Sequence, residues 1–139
     1  MIGILYNSIS DWLKRERFRL YAGVSRGVNT VGYGTHLAAI LTVTNPGRYP
    51  IVFGGVEAEQ EDGDIYFPMF QGLVGKEKID ARSYATLTIP AAHLLGSPLR
   101  RLSVLDGIGR RYSLRGRKLK RLLADLQAEK NRLSLYESE

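Results

Sequence analysis

Apolar residues recur at every second position through most of the chain between residues 17 and 115. The stretch Leu37–Glu59, LAAILTVTNPGRYPIVFGGVEAE, shows this most clearly. Leu37, Ala39, Leu41 and Val43 share one side of an extended segment, and Ala38, Ile40, Thr42 and Thr44 share the other. A period of two is the signature of a strand with one buried face. An Asn-Pro-Gly turn follows, and Ile51 and Phe53 resume the alternation until Gly54-Gly55 shifts its phase onto Val56 and Ala58. Two glycines at a phase change predict a β-bulge, where one extra residue bends the strand.

The same reading predicts further strands on either side. Phe18, Leu20, Ala22 and Val24 alternate with Arg17, Arg19 and Tyr21, and the Gly-rich SRGVNTVGYGTH reads as a loop. Asp62-Gly63 predicts a tight hairpin turn. Ile65–Phe70 reads as an edge strand because Pro68 cannot donate to a ladder, and QGLVGKEKIDAR as connection. Tyr84–Ile89 is the next strand, PAAHLLG a single helical turn opened by Pro90, and Leu99–Asp106 with Arg110–Arg115 the last pair. Together these predict about seven strands in an antiparallel sandwich, mainly β in class, with Leu41, Val43, Phe53, Leu87, Leu102 and Val104 in its core.

At both ends the apolar period lengthens to that of a helix. Ile2, Leu5, Ile9 and Trp12 form a stripe over 2–16, and Leu119, Leu122, Leu126 and Leu133 form another over 117–133. The expected organisation is an N-terminal amphipathic helix (1–16), a β-sandwich (17–115), and a C-terminal helix with a polar tail (116–139). Both stripes are too apolar to stay in water and must be covered by the chain's own sheet or by another chain; they are the candidate protein interface, and at least one is expected to be buried between chains, with a partner or a second copy.

LTVTNPGRYPIVFGGVEAE, LTIP and LRRLSVLDGIGRRYSLRG together resemble the immunoglobulin-like β-sandwich domain of a group of bacterial and phage proteins. The elements that carry the resemblance are Asn45, Gly47, Pro50 through Val56, and Asp106, Gly109, Arg110 and Tyr112. It spans about residues 17–115, implies a seven-stranded immunoglobulin-like fold, and supplies no catalytic residues. Members of that group often carry an N-terminal hydrophobic anchor, where this chain has the shorter, polar-interrupted helix.

Composition narrows the function. At 139 residues the chain supports one core, and the absence of cysteine removes thiolate and disulfide chemistry. His36 and His93 stand far apart and suggest no metal site, and no cofactor is expected. There is no Gly-x-Ser-x-Gly elbow, phosphate-cradling loop or His-Glu metal box, so no catalytic residue is assigned and the expectation is a non-enzyme. Glu57, Glu59, Glu61, Asp62 and Asp64 read as acidic strand and turn positions that lack the ligand offsets of a calcium loop.

The net charge is +6, and Arg110, Arg111, Arg115, Arg117, Lys118, Lys120 and Arg121 stand with no acidic residue among them. Such a segment is a candidate anion or nucleic-acid contact. The aromatics are not interleaved with it along the sequence, which weakens a single-strand stacking reading. No apolar run reaches the ~20 residues that span a bilayer, and no secretory signal is legible, so the expected location is cytoplasmic. A membrane-surface role for the N-terminal helix is the weaker reading. The expected function is a structural or protein-interaction subunit of a larger assembly, with nucleic-acid binding as the alternative.

Overall fold

A computed structural model describes residues 18–28 and 35–137. The expected helix over 2–16, with Ile2, Leu5, Ile9 and Trp12, lies outside the described residues.

Among the described residues, eight strands form two antiparallel sheets. β1 (Arg19–Val28), β2 (Thr35–Asn45) and β6 (Ser83–Pro90) make the first, in the order β1-β2-β6. β4 (Ile65–Tyr66), β3 (Ile51–Gln60), β7 (Leu99–Asp106) and β8 (Arg111–Arg115) make the second in that order, and β5 (Lys78–Ile79) also pairs with β3. A short helix, α1 (Ala92–Leu95), links β6 to β7, and α2 (Arg117–Glu137) follows β8.

Apart from Ala22, which is exposed, the inner faces are those the alternation selects. Leu41, Val43, Phe53, Leu87, Leu102 and Val104 are all fully buried. Leu20 and Val24 of β1 pack against this core from the edge of the first sheet. The phase change at Gly54-Gly55 is a register shift in the β3–β7 pairing, and Gly55 has a φ of 140°. A Cβ on Gly54 would stand 2.2 Å from the Asp106 carbonyl oxygen, so close backbone approach excludes a side chain there. The Asp62-Gly63 turn joins β3 to β4, with the Asp62 carboxylate accepting from the Asp64 amide at 2.9 Å.

Both ends of the expected loop, 25–28 and 35–36, are strand; three further expectations change. The strand over 65–70 stops after Tyr66, and the chain leaves the sheet ahead of the buried Pro68; Phe70 then packs edge-on against Phe53 at 5.5 Å. The connection that follows contains β5, whose Ile79 pairs with Ile51 and is buried; two residues are too few to show a period. Gln71 meanwhile exchanges both backbone hydrogen bonds with Thr88, which ties this connection to the free side of β6.

The third change concerns the C-terminal stripe. Leu119, Leu122 and Leu126 are buried within this chain's own core, and Leu133 is half-buried. α2 begins at the end of the sandwich away from the Asp106 turn and touches β1, β2, β7, β8 and α1. It therefore reaches both sheets, and the first three leucines are not left over for a second chain. The stripe reads as surplus in sequence because the strands already satisfy their own period; an open end between two sheets leaves no trace in that period.

Candidate interaction surfaces

The β2–β3 turn and the β7–β8 turn meet at one end of the sandwich, each built on a buried polar side chain. Asn45 is fully buried at the close of β2. Its amide nitrogen donates to the Tyr49 carbonyl at 2.8 Å and to the Ile79 carbonyl at 3.0 Å, while its oxygen accepts from the Gly47 amide at 3.0 Å. One side chain thus shapes the turn and ties it to β5. Asp106 does the same for the other turn. Its Oδ1 accepts from the amides of Ile108 at 3.1 Å and Arg110 at 2.9 Å, and its Oδ2 accepts from the Tyr112 hydroxyl at 2.9 Å.

Burial, and after it the hydrogen bond to Asp106, pushes the Tyr112 hydroxyl up to about 12. The Tyr112 ring is held edge-on by Phe18 at 5.1 Å. The second turn is also fastened to β3, since the Gly107 amide donates to the Val52 carbonyl at 2.9 Å.

Between these turns lies a cleft of about 310 Å³ lined by Tyr49, Pro50, Val52, Ile108, Asp106 and Arg110, among others. Tyr49 and Ile108 are 55% and 75% exposed, although their backbones are pinned on both sides. A second set of exposed apolar side chains, Phe67, Met69 and Val74, lies on the connection after β4.

The basic segment is divided by the fold. Arg110 sits at the cleft, half-buried. Arg111 is spent on Glu57 across the outer face of the second sheet, with Nε 2.7 Å from the carboxylate, and that contact holds the guanidinium more firmly charged. Arg115, Arg117, Lys118, Lys120 and Arg121 lie at the far end, exposed, on the end of β8 and the first turns of α2. β8 spans five residues, about 13 Å between its first and last Cα, so the seven cations do not form one patch. The acidic positions fall into roles of their own: Glu57 and Glu59 pair with Arg111 and Arg101, and the Glu61 carbonyl accepts from Arg100.

His93 is exposed, and its carbonyl accepts from the Tyr66 hydroxyl at 2.6 Å. Among the described residues no group of three His, Cys, Asp or Glu side chains stands where it could hold a metal ion. No described helix is long and apolar enough to cross a membrane. No protein-family model, curated protein or solved structure matches the chain.

The sequence reading missed Tyr49 and Ile108. Each sits in a turn, outside any periodic segment, and only the meeting of two turns gives them a common surface. The one available signal was an apolar residue inside an otherwise polar turn, as in Asp-Gly-Ile-Gly.

Proposed function

We propose that this chain is a non-catalytic interaction module, an immunoglobulin-like sandwich that takes an apolar side chain of a protein partner into the cleft between its β2–β3 and β7–β8 turns. The observation that carries the proposal is the pair Tyr49 and Ile108, large and exposed, on two turns held rigid by Asn45 and Asp106. Exposed anchors on pre-organised backbone lose little entropy on binding, and aromatic residues are enriched among interface hot spots. Strand orders β1-β2-β6 and β4-β3-β7-β8 support the immunoglobulin-like reading, in which loops joining the sheets gather at the ends of the sandwich.

The non-catalytic part of the proposal rests on how the polar groups are used. The carboxylate of Asp106 and the amide of Asn45 hold backbone, Glu57 holds Arg111, and the Ser103 hydroxyl meets that of Ser113 at 2.8 Å. Each polar side chain buried among the described residues serves the fold. Self-association through Ile2, Leu5, Ile9 and Trp12 is an additional contact in this reading; Leu119, Leu122 and Leu126 are buried in the chain's own core.

The test is recovery of the native complex with wild type and with a Tyr49→Asp, Ile108→Asp variant. Both side chains are exposed, so the variant should keep its thermal midpoint while its co-purifying protein is lost. A partner retained at wild-type yield would reject the cleft as the contact.

A further inference from the structure

The outer face of the β1-β2-β6 sheet carries a feature that the sequence does not display. None of these three strands contains Asp or Glu, whereas the second sheet carries Glu57, Glu59 and Asp106. The registers set Arg19, Thr44 and Tyr84 in one row across the three strands, and Tyr21, Thr42 and Thr86 in the next row on the same face. Tyr21 is 58% and Tyr84 68% exposed, and Arg19 is exposed beside them. With two strand spacings across and two residues along, the tyrosines stand about 12 Å apart, so each ring can take its own flat ligand.

Tyr21 also lines a cleft of about 360 Å³ against α2, where Lys118 and Arg121 form the other wall. Asp125 is the only acidic residue among the described residues that line that cleft. Folding therefore places Tyr21 beside two cations that lie nearly a hundred residues away in the chain.

We propose that this face binds single-stranded nucleic acid, with bases stacking on Tyr21 and Tyr84 and phosphates held by Arg19, Lys118 and Arg121. Charge complementarity selects a polyanion, and two exposed rings on a flat sheet select one whose bases are unstacked, since a duplex keeps its π-faces inside. Of the seven cations in the basic segment, only Lys118 and Arg121 take part. This face is separate from the Tyr49–Ile108 cleft, so the two assignments stand or fall independently.

The test is fluorescence anisotropy of the full chain with labelled 20-nucleotide oligo-dT, oligo-rU and a mixed-sequence duplex across a salt series. Single strands should bind in preference to the duplex. Three phosphate contacts give a slope of log K against log salt of about −2. Tyr21→Ala and Tyr84→Ala should each weaken oligo-dT binding about 5- to 150-fold, the range measured for loss of one base–aromatic stack. Phenylalanine at either position should retain it, which separates stacking from a hydroxyl contact and from loss of fold. Lys118→Glu with Arg121→Glu should flatten the salt slope. Equal affinity for duplex and single strand with no effect of Tyr→Ala would overturn the proposal. So would absence of binding at low salt, or binding to anionic phospholipid vesicles in preference to the oligonucleotides.

Discussion

Asp106 ties two backbone amides and the Tyr112 hydroxyl to one carboxylate, and its loss is the most informative change at the residue scale. Asp106→Ala removes two amide contacts and the Tyr112 hydroxyl contact at once. Charge-assisted bonds of this kind contribute about 1.5–3 kcal/mol each, with overlap, so urea unfolding should show a net loss of about 3 kcal/mol. Tyr112 offers a pH test of the same network. Its hydroxyl is raised from 10.0 to about 12 in the folded chain, so between those values the folded state holds a proton that the unfolded state has released. The contribution is complete below pH 10 and is lost as pH rises through 12. Ultraviolet titration of the phenolates should show a late component that Tyr112→Phe removes; a Tyr112 that titrates with the exposed tyrosines would contradict its burial, the larger cause, together with its bond to Asp106. The bulge supplies a contrast between neighbours. Gly54→Ala meets the Asp106 backbone and should cost at least ~2 kcal/mol, while Gly55→Ala meets no atom within 4 Å and carries only the strain of its positive φ, about 1–2 kcal/mol.

At the scale of elements, α2 is the clearest case of a pattern legible in the sequence whose covering surface is not. Leu119, Leu122 and Leu126 recur at helical spacing, and a helix forms there. What the spacing cannot carry is the space between two sheets, which exists only once both have folded. Leu126→Ala should cost about 2–5 kcal/mol, because the side chain is fully buried, with no change in mass by light scattering. A stable variant of altered mass would return the stripe to the interface. The strands were legible wherever one face is buried over several residues, as in Leu37–Val43, and so was the bulge, because two glycines break the phase. β5 was not, since Ile79 owes its burial to β3 and not to a local period. Nor was the division of the basic segment, in which Arg111 is claimed by Glu57 from 54 positions away.

At the scale of the whole molecule, the two sheets differ in charge and the two ends differ in role. One sheet has acidic partners for Arg101 and Arg111; the other has no acidic residue in its strands and shows two tyrosines to solvent. One end is plugged by α2, and the other presents a cleft between pinned turns. This division predicts that surface changes will separate function from stability: Tyr49→Ala and Ile108→Ala should each shift stability by less than ~0.5 kcal/mol, as measured by thermal unfolding. The most direct test of the proposed module is site-specific photo-crosslinking. A photoreactive phenylalanine is placed at Tyr49, and in a control chain at the exposed Lys130 of α2, each in cells of the source organism. The account predicts one discrete protein adduct from position 49 and none of that mass from position 130. No adduct at position 49, or the same adduct from both positions, would contradict it.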